Sequence, residues 1–313
     1  MKSLIIIFGL LLLATCSQKT TRVLTVSVEK KLIPEGIAVN KNQIFISSIF
    51  KEKIIQYDLK TEMTTDFIST NEYGFKSGVG LFVKDSLLFA LTNSSIKRNE
   101  IANPMLYVFS IPSKKLLKMY NLADKESHFW NDLTVDTNYQ VFITDTQQNK
   151  IYKIKYPNDK IESFYTDSTT ILPNGIDLSS DGSKLFIAST EYGMRILDIQ
   201  SRKILNKVDN ETVGIDGLKY YKGNLFAIKN TDIEHSKHRL LKILLSKDEE
   251  FIEKVEEISV RNDLWNVPTT LDIHNDFVYL LANSQMDNLN QDKLEIIDIQ
   301  TLTNTYVLKF KIK

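Results

Sequence analysis

Short alternations of apolar and polar residues follow one another along this chain. They include "VLTVSV", "QIFISSI", "KIIQYDL", "LLFALT", "MLYVFSI", "QVFITD", "KIYKIKY", "KLFIAST", "MRILDI", "NLFAIKN", "FVYLLAN" and "LEIIDI". Their period of two and their richness in Ile, Val, Phe and Tyr predict strands, and the Asn, Asp, Gly, Ser and Lys between them predict turns. A long helical period is missing. The nearest approach, "LLKILLSKDEEFIEKVEEI" at 240–258, is cut by a charged turn, so it is expected to form two strands.

The runs recur as a unit that opens on a small polar motif. The openings are "PEGIAV" at Pro34, "SGVGLFV" at Ser77, "WNDLTV" at Trp130, "PNGIDL" at Pro173, "IDGLKY" at Ile215 and "VPTTLDI" at Val267. They are spaced by roughly 40 to 55 residues, the length of a four-stranded propeller blade. Six units fill the chain, which predicts an all-β fold, a six-bladed β-propeller over residues 22–313. "VLTVSV" (Val23–Val28) precedes the first unit and is expected to lend a strand to the last blade. Such closure protects sheet edges that would otherwise pair with other chains.

Innermost propeller strands line a central channel, so equivalent positions form a ring at one mouth. That position is Glu35, Asn131, Asn174 and Asp216 in units one, three, four and five. Unit two has Gly78–Gly80 there, and unit six has Thr269–Thr270. Taken singly, "EG", "NG" and "DG" are ordinary turn dipeptides. Their shared phase in separate units points instead to four convergent oxygen donors, a set suited to a hard cation such as Ca²⁺, with Mg²⁺ and Mn²⁺ left open. Without sulfur or imidazole the set disfavours zinc and copper. A cation there can polarise a carbonyl and acidify a bound water, with Asp216 or Glu35 as general base. That chemistry suits hydrolysis of a small-molecule lactone or ester. His128, three residues before Asn131, is a candidate base or a plain loop histidine. Trp130 and Phe129 are candidate substrate contacts, Trp130 with packing between blades as its alternative. His235 and His238 sit in the charged stretch "NTDIEHSKHR" and have no third ligand nearby. No G-x-S-x-G elbow is present, which disfavours an α/β-hydrolase mechanism.

Charge changes the picture by exclusion. Lys+Arg and Asp+Glu both number 39, so a net charge of zero offers no basic surface for nucleic acid. The N-terminus adds a location. Met1-Lys2-Ser3 leads into "LIIIFGLLLLA" and then Thr15 and the single cysteine, Cys16. A basic start with a short apolar run reads as a secretory signal, and "LATC" resembles a bacterial lipobox. Residues 1–16 are therefore expected to be a lipoprotein signal with Cys16 as lipidation site. Residues 17–21 form a tether, and an ordinary cleaved signal is the alternative. The expected location is the bacterial cell envelope, at its periplasmic or outer-membrane face, with membrane contact through the lipid only.

The segments "IPEGIAV", "NDLTVD…VFITDT", "LPNGIDLSSDGSKLFIAST", "GIDGL" and "VPTTLDI" resemble the senescence-marker-protein/gluconolactonase family, and more loosely the paraoxonase-like calcium lactonases. The resemblance runs over nearly the whole chain after the signal. It implies a six-bladed propeller and a calcium-dependent lactonase. It also implies a metal set of Glu35, Asn174 and Asp216, with Asn131 close to substrate or metal and the aspartate as base. Sugar-lactone members carry an arginine two residues before the asparagine at 131, where this chain has Phe129. That departure turns the expected substrate toward a less polar lactone or ester. It also keeps a second reading in play, a non-catalytic ligand- or partner-binding propeller of the envelope.

Overall fold

The computed structural model describes residues 21–312 apart from 98–99, 123, 159, 169, 231–237, 259 and 261–262. The expected signal with Cys16, most of the tether, and His235 lie outside the described residues. Among those described, the strands form six four-stranded antiparallel sheets. Blade one is β2–β5 (34–68), blade two β6–β9 (77–121), blade three β10–β13 (130–166), blade four β14–β17 (173–204) and blade five β18–β21 (215–257). Blade six combines β22 (Leu271–His274), β23 (Phe277–Leu281) and β26 (Thr305–Lys311) with β1 (Arg22–Ser27) from the start of the chain. The first strand of each blade touches the first strand of the next, and β22 touches β2 (Pro34–Asn40), so the ring is closed. The chain is a six-bladed β-propeller.

Closure works as the sequence predicts. β1 pairs antiparallel with β26, Val23 opposite Leu308 and Leu24 opposite Val307. The stretch at 240–258 forms two strands, β20 (Arg239–Leu245) and β21 (Ile252–Glu257). One expected strand is corrected. "LEIIDI" gives only Glu295–Ile296, in a two-residue ladder with Leu289–Asn290, and the blade's next strand is "TYVLKFK" of β26. Ile297 and Ile299 are exposed, so the run lacks the buried face that would hold a strand in a blade.

Second strands are buried on both faces because blades stack on their neighbours. Ile44, Phe45 and Ile46 of β3 (Gln43–Ser48) are all fully buried, as are Leu185, Phe186 and Ile187 in blade four. Burying each such side chain stabilises the fold by roughly 1.5–3 kcal/mol. Trp130 belongs to this packing. Its ring is 0% exposed, among Phe89, Leu133 and Tyr152 between blades two and three.

Five innermost strands share a distortion that positions the site. Regular pairing breaks between Pro34 and Ile37, Gly78 and Leu81, Trp130 and Leu133, Pro173 and Ile176, and Ile215 and Leu218. Each break is a β-bulge, which bends a strand and re-aims its side chains. The bulged residues are 35–36, 79–80, 131–132, 174–175 and 216–217.

Candidate metal and active site at the channel mouth

The bulges deliver the residues that the repeat phase singles out. Glu35, Asn131, Asn174 and Asp216 all line one cavity at the mouth of the channel, with Asp132, Lys219, Thr269 and Thr270 around them. Its space for the centre of a water-sized sphere is about 20 Å³, room for one water or one ion. Blade two contributes Val79 at the equivalent position, fully buried and apolar, so it offers no ligand.

A bulge removes backbone groups from the ladder, and each must find another partner. Ser47 Oγ accepts from Gly36 N at 2.9 Å and donates to Val79 O at 2.6 Å. Thr144 Oγ1 accepts from Asp132 N at 3.0 Å and approaches Asn174 O at 2.7 Å. Gly217 N donates to Thr269 O at 2.9 Å, and Thr269 Oγ1 to Glu35 O at 3.0 Å. These bonds run from blade to blade and lock the ring at the level of the site. The glycines after Glu35 and Asn174 have a steric cause. A Cβ on Gly36 would lie 2.1 Å from Val79 O, and one on Gly175 2.5 Å from Asp216 O.

Neighbours hold the site side chains in place. Asn230 Nδ2 donates to Asp216 Oδ2 at 2.5 Å and to Pro268 O at 2.8 Å. Asn131 Nδ2 donates to Thr146 Oγ1 at 3.0 Å. Glu35 differs, because its Oε2 is buried with no hydrogen-bond partner. Leaving a buried carboxylate oxygen unpaired costs on the order of 1–3 kcal/mol or more. Burial also raises the proton affinity of Glu35 well above the ordinary carboxylate value, with Asp216 and then Asp132 adding to it. Burial likewise pushes Asp216 up to about 7, against the pull of its hydrogen bonds to Asn230 and Asn174. Two crowded, desolvated carboxyl groups and two carboxamides form an oxygen-only donor set of the kind a hard divalent cation takes.

Other expected participants lie elsewhere. Trp130 does not line the cavity. It is core, with its backbone clasped by the Asn93 carboxamide at 3.0 Å on both sides. Phe129 packs against the same core cluster and is also off the cavity. The substrate contact expected of Trp130 is therefore corrected to packing between blades, since its ring is fully buried, whereas Phe129 is half-buried just before the strand. His128 lies in the loop just before the first strand of blade three and does not line the mouth cavity. It is 0% exposed, with Nδ1 2.6 Å from Asp145 Oδ2 and Nε2 3.0 Å from Asp124 Oδ1. His238 is buried as well. Asp124, Glu126 and His128 place ligand atoms within 4.8 Å of one another, but two of the three are exposed and both nitrogens of the His128 ring are already engaged.

Two residues of the cavity escaped the repeat alignment. Asp132 follows Asn131 directly, where the other bulges have glycine. Lys219 interrupts the apolar strand "IDGLKY", and a lysine inside an innermost strand was the available signal.

No family model matches this chain, and no curated relative matches it either. Solved structures do. The major allergen Mala s 1 of Malassezia sympodialis aligns with a TM-score of 0.65 at 13% identity, over 92% of this chain and 95% of that one. A gluconolactonase of Xanthomonas campestris aligns with a TM-score of 0.62 at 11% identity, over 93% and 90%. Virginiamycin B lyase of Staphylococcus aureus aligns with a TM-score of 0.61 at 14% identity, over 95% and 100%. A lactonase, a lyase and an allergen share this fold, so the function of this chain must be argued from its own residues.

Proposed function

We propose that this protein is a metal-dependent hydrolase that opens a lactone or similar ester at the channel mouth. Glu35, Asn174 and Asp216 would hold a divalent cation, Ca²⁺ by the hardness of the donors, with Asn131 beside it. The observation that carries the reading is the buried, unpartnered Oε2 of Glu35 in a cavity also lined by Asn131, Asn174 and Asp216. The likeness in fold to a gluconolactonase agrees with it.

When bound, the cation would polarise the substrate carbonyl and acidify a water. The chain supplies the rest. Asn230 fixes Asp216 through Oδ2, leaving the carboxylate oriented to take a proton from the attacking water. The carboxamide of Asn131 is held by Thr146, which presents an oriented amide to substrate at low entropic cost.

Calorimetry with Ca²⁺ and assays on a panel of lactones and aryl esters test this. One Ca²⁺ per chain is expected. Asp216→Ala should remove Ca²⁺ binding and lower kcat/KM by about 10²–10⁴-fold, whereas Asp124→Ala, in the neighbouring acidic cluster, should change neither. Turnover that survived both chelation and Asp216→Ala would refute the mechanism. Ca²⁺ binding without turnover across the panel would favour the ligand-binding propeller. Anchoring through Cys16, proposed from the N-terminal sequence, is tested by fatty-acid labelling. The label should be incorporated by the wild type and lost in Cys16→Ala.

A further inference from the structure

The direction of β22 shows at which end of the propeller the N-terminal segment leaves the ring. β22 follows Thr269 and Thr270 of the mouth cavity and ends at His274. Register carries that polarity across the blade: His274 lies opposite Phe277, Phe277 opposite Lys311, and Lys309 opposite Arg22. Arg22, where β1 begins, is therefore at the end of blade six away from the mouth. Cys16 lies six positions earlier, at most about 20 Å of extended chain. β1 alone, with its six residues, rises about as far. A lipid on Cys16 would thus hold the far end of blade six near a bilayer. The mouth could reach that bilayer only with the whole tether drawn back along the blade.

That end of the blade is basic. Arg22, Lys309 and Lys311 stand there against Asp276. A cavity of about 290 Å³ between blades five and six adds Lys222 and Lys242 to Lys311 and Asp276. The Asp276 carboxylate is already taken, by Lys222 Nζ at 2.8 Å and by the Tyr221 hydroxyl. Lys242, Lys309 and Lys311 form no salt bridge among the described residues. Lys309 lies instead over the rings of Phe277 at 4.6 Å and Tyr279 at 5.1 Å. Glu62 of blade one pairs with Arg22, and the next residue, Met63, is 63% exposed. The acidic turn Asp248–Glu250 of blade five bounds the patch on one side. Across the ring, the far-end turns of blades three and four carry Asp136, Asp181 and Asp198.

We propose that the far end of blade six and its flanks form a docking surface for anionic phospholipid headgroups, which turns the channel mouth toward the aqueous side. Lysines without ion-pair partners neutralise lipid phosphates, and the exposed methionine beside Arg22 enters the headgroup region. A lipid tether by itself leaves the domain free to rotate about the tether's root. A charged face at that root selects one orientation. The proposal rests on Cys16 anchoring for the presence of the bilayer and is independent of the hydrolase reading.

Co-sedimentation with phosphatidylcholine vesicles, with and without phosphatidylglycerol, tests the surface on the chain from Ser17 onward, which keeps every strand of the closed ring. Binding is expected only with phosphatidylglycerol. Lys242→Gln, Lys309→Gln and Lys311→Gln together should weaken it about 10²-fold, roughly fivefold for each charge removed. The control set Lys155→Gln, Lys160→Gln and Lys203→Gln, on blades three and four, should leave it unchanged. Orientation is read on the lipidated protein in the same vesicles. A fluorophore on Met63→Cys should be quenched by nitroxide-labelled lipid. One on Ile297→Cys, in the mouth-side loop between β23 and β26, should not be. Binding indifferent to phosphatidylglycerol, equal loss in the two triple variants, or quenching at position 297 as strong as at 63 would overturn the proposal. If the chain from Ser17 binds as expected but the wild type takes up no fatty-acid label, the headgroup surface stands and the anchor falls. A labelled wild type that gives any of the contrary results keeps the anchor and loses the surface.

Discussion

The sequence "HFWNDL" feeds two acidic clusters that lie close together and differ in kind. His128 closes one with Asp124 and Asp145, while Asn131 and Asp132 belong to the mouth. In the first, both ring nitrogens and both oxygens of Asp145 have partners, since Phe129 N at 3.2 Å and Gln148 N at 3.1 Å also reach that carboxylate. In the second, Glu35 keeps a buried oxygen with no partner, and Lys219 a buried nitrogen with none. A satisfied network holds structure. An unsatisfied one is maintained against its own cost by the surrounding blades, and such sites are where a ligand gains most by binding. Ligand-like spacing alone selects the first cluster, and hydrogen-bond accounting selects the second.

Three experiments break or sharpen that contrast. The largest effect is expected from Gly36→Ala. The new Cβ meets backbone rather than a movable side chain, so the junction of blades one and two must shift, at a cost of about 3 kcal/mol. Denaturant unfolding should show the loss, and Ca²⁺ affinity should fall with it because Glu35 is displaced. A stable Gly36→Ala protein with native Ca²⁺ affinity would mean that the bulge does not position Glu35.

Asp145→Ala comes next. It strips the partner from a buried imidazole and two backbone amides, at about 2 kcal/mol. Its stability should drop while its Ca²⁺ stoichiometry stays that of the wild type. Loss of the ion along with stability would show that the two clusters work as one.

The smallest and most diagnostic effect is in pH. Asp216 is protonated more readily in the folded chain, at about 7, than unfolded, where an aspartate titrates near 4. The folded state then binds more protons across that interval, so this group's contribution to stability is full below the unfolded value and is lost as pH rises toward 7. In chelator, the Tm of the wild type should therefore decline relative to that of Asp216→Asn between pH 4 and 7. The Tm gain on adding Ca²⁺ should grow over the same range as the competing proton leaves. A Tm difference independent of pH would show that Asp216 titrates in the folded chain as it does unfolded.

Much of this architecture was legible in the chain. Strand periodicity and the repeated unit openings predict six blades, and the shared phase of Glu35, Asn131, Asn174 and Asp216 puts them at one mouth, where the structure brings them together. Errors arose where local pattern and tertiary burial part company. "LEIIDI" has the alternation of a strand but no sheet to bury it, and Trp130 has the position of a site residue but the surroundings of a core residue. The roles of Asp132 and Lys219 were hidden because neither repeats in the other units.

What the sequence determined by itself is whatever recurs: the number of blades, the strand from the N-terminus that closes the ring, and the phase at which polar residues interrupt each innermost strand. These follow from local propensity and from period, which need no partner. Tertiary structure alone decided which groups face one another across the channel. Only there does Glu35 lose its partner, Asp145 find His128, and a lysine from blade five come to rest among aspartates from blades three, four and six. Burial and electrostatic coupling are properties of distance in space, and residues as far apart in sequence as Glu35 and Asp216 acquire them only when the ring closes.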